Sequence, residues 1–320
     1  MTAYIVRRLA WIVVLLALVS ALTFVVFYVV PSTDPAQLRA GRNPSPDLVE
    51  SIRHTYGLDK SKPAQYADFL ERAVLHGDLG YSYGHDEPVR QLIFDRLPAT
   101  IYLTLGAVIV WLAVAIPVGL ISAIRRHSIF DRLAMGIALL AISAPVYWLG
   151  LVCLYLFSKD IGQFPIFLGS GTYVPPTTDF GTFFGSMIMP WFVLAASFAA
   201  FYARLLRSNV LEVMSEDYIR TARAKGVRER IVIRRHVMRS AMTPLVTVLG
   251  LDIGVLLGGA ILAETVFNIP GIGRLSYEAI QNGDLPVIQG TVLLGAFFIV
   301  FLNLVVDIVY AYLDPRIRYS

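Results

Sequence analysis

The sequence has little of what a soluble enzyme uses. Cysteine occurs once, at Cys153, which excludes a disulfide framework. Lysine occurs only at Lys60, Lys62, Lys159 and Lys225. None of these completes a G-x-x-x-x-G-K-[ST] loop, so any ATP this protein depends on has to be bound by another chain. The histidines, His54, His76, His85, His127 and His236, all fall outside the long apolar runs. H-E-x-x-H is absent, and the "GSG" at Gly169–Gly171 reads as a turn. With every histidine outside the apolar runs, a membrane hydrolase would lack a nucleophile–base constellation within the bundle. Charge is scarce as well, at 16% of residues, where soluble domains carry about 25%.

What is present is apolar. Hydrophobic residues make up 56% of the chain, gathered into six runs at about 9–30, 99–124, 133–157, 187–207, 244–265 and 287–313. About 20 such residues in a helix cross a ~30 Å hydrocarbon core. Lipid offers the backbone no water, and no period-two pattern suggests a barrel, so these spans are predicted to be helices. The first run follows Arg7 and Arg8, as in a signal peptide. It is too long for that and no small-x-small cleavage site follows it, so it is read as a retained span. Pro190 and Trp191 suggest an interfacial start for the fourth span, and Pro117 and Pro145 predict kinks in the second and third.

Orientation follows from the basic residues of the short loops. Arg125, Arg126 and Arg132 flank the second loop, and ten Lys/Arg lie between Arg204 and Arg239. Arg7, Arg8, Arg316 and Arg318 mark the termini, whereas the third and fifth loops carry only Lys159 and Arg274. Both termini and loops two and four are thus expected in the cytoplasm. The fold expected is an all-α integral membrane protein of six transmembrane helices, divided into residues 1–30, an exterior cap at 31–98, and a five-helix core at 99–320. Two short helices, roughly 46–56 and 62–76, are expected within the cap.

The most distinctive polar stretch is "SEDYIRTARAKGVRERIVIRRH", Ser215 to His236. Ser215 is a suitable N-cap, Glu216 and Asp217 suit a first turn, and Gly226 suits a stop, predicting a helix over 216–225. So short a helix needs a partner to pack on. Four readings compete: a topology-setting basic loop, a voltage sensor, a nucleic-acid site, and a docking helix with Tyr218 and Ala222 on its exposed face. The voltage sensor fails because Arg220 and Arg223 lie outside any span, and nucleic-acid binding lacks a stacking platform. A basic loop and a docking helix remain open on pattern alone.

The stretch "DYIRTARAKG" followed by "RHVMRSAMTP" resembles the signature loop of bacterial ABC-importer permeases of the dipeptide/oligopeptide permease family. The resemblance runs through "YIVRRLAWIVVLL", "YGLDKSKPAQYADFLERAVLHGDLGYSY", "EPVRQLIFDRLPATIYLTL", "ISAPVYWLGLVCLYLF" and "ILAETVFNIPGIGRL", in that order. It is nearest to the first permease subunit of that family. Departures are local: Ser240 stands where the family usually has Asn, Arg220-Thr221-Ala222 where permeases generally have Glu-Ala-Ala, and "PSTDP" where Pro-Gly-Asp-Pro is common. The resemblance implies a peptide or similar small-solute importer in the bacterial inner membrane. It implies a second homologous permease, two ATP-binding subunits that hold ATP and Mg, and an exterior solute-binding protein, with no cofactor in this chain. Tyr218, Ala222, Arg223, Lys225 and Gly226 would then couple the chain to the ATPases.

Three carboxylates lie within or at the ends of spans, Asp252, Glu264 and Asp307, and these are the candidates for a pathway or gate. A charge at mid-span costs about 2.5–3.5 kcal/mol on insertion scales, so Asp252 is expected to face the bundle interior. It is either a polar point on the pathway or a satisfied interhelical hydrogen bond. Asp307 favours the structural role, and Glu264 is expected at the outer boundary, within reach of water. An ion- or proton-coupled carrier using Asp252 and Asp307 is the alternative, although no inverted repeat is evident. Gly254, Gly258 and Gly259 provide small-xxx-small spacing for close helix packing.

Overall fold

The computed structural model describes residues 2–30, 35–40, 44–55 and 58–313. Arg316, Arg318 and most of the "PSTDP" turn lie outside them. Among the described residues the chain is helical, with two isolated bridges, Tyr81 to Pro88 and Ser158 to Phe167, and no strand.

Helix α1 (Thr2–Phe24) ends in a π-helical turn, Val25–Val29. The cap contains α2 (Pro35–Ala40), α3 (Pro46–Thr55) and α4 (Lys62–Glu71), the last extended by π-helical Arg72–His76; α3 and the extended α4 match the two short helices expected there, and α2 is additional to them. Helix α5 (Val89–Ile124) is followed by α6 (Ile129–Ser143) and α7 (Val146–Phe157). Next come α8 (Phe180–Met214) and α9 (Asp217–Ala224). A second short helical run holds α10 (Glu229–Ile231), a π-helical stretch Val232–Val237, and α11 (Met238–Ala241). The chain closes with α12 (Thr243–Leu257), α13 (Ile261–Val266), α14 (Ile272–Asn282) and α15 (Leu285–Leu313).

Four helices are long and apolar enough to cross a membrane, and two bent pairs raise the number to six when each pair is taken as one span. The bends correct the simple picture of straight spans. The third run breaks by 102° between α6 and α7. Ala144, immediately before Pro145, is driven into extended backbone, as a residue before proline is. The fifth ends at Leu257, not 265, because Gly258 and Gly259 stop the helix and Gly259 takes φ +130°. By contrast, α5 is not interrupted at Pro117, and α8 passes through Pro190. Both long helices begin before their apolar runs do: α5 at Val89, and α8 at Phe180, where the Asp179 carboxylate accepts from the amides of Gly181 and Thr182.

In lipid, helices associate by close packing more than by expelling water. The α5–α8 seam accordingly pairs large side chains with small ones. Leu103, Trp111, Met187, Tyr202 and Leu206 are fully buried. Trp191 lies over Gly106 and donates Nε1–H to the Tyr102 carbonyl at 3.0 Å. A methyl group at Gly119 would meet the Ala203 carbonyl oxygen at 2.6 Å. On the other side of the bundle Gly254 and Gly258 lie against Ile299 and Gly295 of α15, the close approach their spacing predicted. The cap is joined to α1 by Tyr66, whose hydroxyl donates to the Ala17 carbonyl at 3.2 Å.

Candidate functional site

The polar segment forms a helical hairpin that follows directly on α8. Ser215 does not cap α9; its hydroxyl donates back to the Glu212 carbonyl at 2.6 Å and closes α8 instead. Glu216 takes the N-cap position through its backbone, so α9 is shorter than 216–225. Ile219 is fully buried against the core cluster that includes Val232 and Val237. Ala222 is half-buried, packed partly against the same cluster, and so is less exposed than expected of it. Tyr218, 45% exposed, Arg223 and Lys225 lie outside. The Tyr218 hydroxyl donates to Ser240 Oγ at 3.1 Å, a contact made by the very residue that departs from the family pattern.

Gly226 ends the hairpin's first arm. Its φ is +75°, its N–H donates to the Arg223 carbonyl at 2.9 Å, and nothing lies within 4 Å of a methyl group built there. The requirement is purely one of backbone conformation. Arg223 spans the turn, donating from Nε and Nη2 to Glu229 at 3.1 and 2.7 Å. That bond holds the Glu229 carboxyl below its usual range. The five residues expected to act together are therefore on one hairpin, four of them exposed.

The three carboxylates are dispersed, and each has partners. Asp252 on α12 accepts from the hydroxyl of buried Tyr202 on α8 at 2.6 Å, an interhelical hydrogen bond. Asp307 pairs with Arg8 at 2.7 Å and so joins α15 to α1. Glu264 corrects its expectation: it is fully buried, not at a wet boundary. Thr100 Oγ1 donates to it at 2.8 Å and the Arg274 amide at 2.9 Å, while Thr100 Oγ1 itself accepts from the Ile272 amide at 2.8 Å. The reason is the early end of α12, which folds α13 back into the bundle so that Glu264 becomes the joint between α5, α13 and α14.

Two further constellations escaped the sequence reading. Asp284, at the start of α15 and 2% exposed, receives the Ser82 hydroxyl at 2.5 Å and the amides of Tyr83 and Gly84 at 3.0 and 3.1 Å. It clips the cap to the α14–α15 corner. Asp131, 3% exposed on α6, takes Arg207 of α8 in a two-pronged bond of 2.7 and 2.8 Å. In sequence, Asp131 is one acid in a basic loop and Arg207 one of ten cations, and only the helix crossing brings them together.

The chain was compared with known proteins. A family model described as "Binding-protein-dependent transport system inner membrane component" matches residues 115–319, and the N-terminal model of the same systems matches residues 1–104. A Brucella abortus (strain 2308) protein, provisionally named a peptide transport system permease protein, is 42% identical over 320 residues, with all of both chains covered. The glutathione transport system permease protein GsiC of Pectobacterium atrosepticum is 39% identical over 320 residues, again covering both chains completely. The dipeptide transport system permease protein DppB of Escherichia coli (strain K12) is 40% identical over 343 residues, with both chains fully covered.

Proposed function

The chain belongs to the family of binding-protein-dependent transport system inner membrane components, and from that premise we propose that it forms half the pathway of an ATP-driven importer for di- or oligopeptides or a similar small solute. It is a multi-pass inner-membrane permease and performs no chemistry of its own. The peptide class rests on the names of relatives that match the full length of the chain. In this reading a second, related permease completes the pathway, two ATP-binding subunits bind ATP and Mg, and an exterior binding protein delivers the solute. The basic hairpin lies in the cytoplasm, as the distribution of Lys and Arg supports. The cap and the α14–α15 corner, clipped together through Asp284, then present one outer surface to the binding protein.

One observation carries the coupling assignment. A short helix buries Ile219, leaves Tyr218, Arg223 and Lys225 outside, and connects to the long helix α8 through only two residues. An element of that form enters a groove on a partner and passes the partner's motion straight into the bundle. Purification of the chain from its native membrane in mild detergent tests this. ATP-binding subunits should co-purify with Mg-dependent hydrolysis, and both should be lost when Tyr218 and Arg223 are replaced by alanine. A chain that purifies alone and moves solute down an ion gradient in vesicles would overturn the assignment.

A further inference from the structure

We propose that the Asp131–Arg207 pair is the joint through which movement of the α9 hairpin reaches α6; the proposal rests on the coupling role given to α9. Arg207 lies two turns before the end of α8, and α9 begins just beyond that end. The stretch between is braced: Asn209 donates to the Ala241 carbonyl at 3.2 Å, and Tyr218 of α9 bonds Ser240 on the same short helix α11. α9, α11 and the last turns of α8 are thus tied into one unit, and Arg207 is its contact with α6.

The α6 side is equally fixed. Asp131 accepts the His127 amide at 2.9 Å, and its own amide donates to the capping Ser128 hydroxyl at 3.2 Å. Both guanidinium bonds to it are short, and the carboxylate is shielded from solvent, so Asp131 cannot exchange Arg207 for water without loss.

The rest of the α6–α8 contact is almost wholly apolar. A groove of about 530 Å³ opens between α5, α6 and α8, floored on α8 by Ala195, Ala199 and Ala203. Farther along, a single bond of 3.3 Å from the Ser197 hydroxyl to the Ala141 carbonyl is the other polar link among the described residues. An apolar interface carries no directional bonds and permits sliding, whereas a two-pronged ion pair has one geometry. α6 therefore follows α8 at the Asp131 end, and the 102° break before α7 gives it room to pivot. Asp131 and Arg207 are positioning residues in this scheme: they touch neither solute nor ATPase.

The test uses the complete transporter in lipid nanodiscs, with Cys153→Ser and spin labels at Ile109→Cys on α5 and Ile137→Cys on α6, both exposed side chains. Adding ATP and Mg should shift the α5–α6 distance in the parent protein. Asp131→Asn and Arg207→Gln should abolish the shift and lower dialanine uptake per ATP hydrolysed by roughly tenfold, within the usual range of coupling energies. Hydrolysis itself, which belongs to the partner chains, should persist, and Asp131→Glu should restore part of the shift. An unchanged shift in Asp131→Asn overturns the proposal. So does loss of assembly or of hydrolysis in step with uptake, since a purely structural bond would do that. A parent protein that recruits no ATPase, seen already at purification, overturns the coupling reading and this inference with it.

Discussion

Two glycines end two short stretches of helix, and their surroundings are opposite. Gly226, in the basic hairpin, has φ +75° and open space where a side chain would begin. Gly259, after α12, has φ +130°, and a methyl group there would lie 2.6 Å from the Gly273 α-carbon. The first turn is constrained by conformation alone; the second is also packed backbone to backbone. Around Gly259 the bundle buries Glu264 with its donors, whereas around Gly226 it exposes Tyr218, Arg223 and Lys225. One end of the molecule is fixed from within. The other is left open.

That contrast can be broken by substitution. Gly259→Ala should have the largest effect on stability, about 3 kcal/mol or more from backbone strain and overpacking together. Monodisperse protein on size-exclusion chromatography should be nearly lost. Glu264→Leu leaves two buried donors without acceptors, at about 1–3 kcal/mol each, and should lower the thermal midpoint while the chain still inserts. Gly226→Pro removes the N–H bonded to Arg223 and forbids the positive φ. It should abolish ATP-coupled uptake with insertion intact, and normal uptake would sink the coupling assignment. Gly226→Ala should cost about 1–2 kcal/mol locally and reduce uptake only in part. Asp252→Leu sharpens the middle ground: if the residue lines the pathway, uptake falls more than abundance, and if the bond from Tyr202 is its whole role the two fall together.

The smallest effect is one of pH. Glu229 is held below its ordinary carboxyl value of 4.5 by Arg223. A depressed carboxyl stabilises the hairpin above that value, and the contribution is lost as pH falls through the lower, folded one. Hairpin contacts followed by hydrogen exchange should therefore be flat from neutral pH down to about pH 5 and weaken only below it. Because both partners are largely exposed, the change should be modest and should shrink in high salt.

The helical class and the placement of the apolar runs were legible because hydrophobic length is a one-dimensional signal. So was the Gly226 turn, which depends on a local φ. What composition hides is where a helix begins under polar residues, as at Val89 and Phe180, or ends inside apolar ones, as at Leu257. The half-burial of Ala222 was not legible because an 8-residue helix offers too few turns to fix its orientation from pattern. Glu264 was assigned to water because a straight fifth span would have carried it there, and the turn at Gly258–Gly259 carries it inward. Asp131–Arg207 and Asp284–Ser82 are pairings distant in sequence, and a single sequence gives no sign of which charges meet.

The Arg8–Asp307 bond has a consequence for how the protein is made. It joins the first helix to the last, across about 300 residues of chain. At a synthesis rate of roughly 5–20 residues per second, Arg8 emerges about 15–60 s before its carboxylate exists. Through most of that interval α1, with only 17% of its apolar window buried even in the finished fold, has the cap residue Tyr66 beside it but not α15. It must wait in lipid or in the care of the insertion machinery until α15 arrives. The final helix is thus also the latch of assembly, and a chain cut short before it leaves its first helix held by the cap alone.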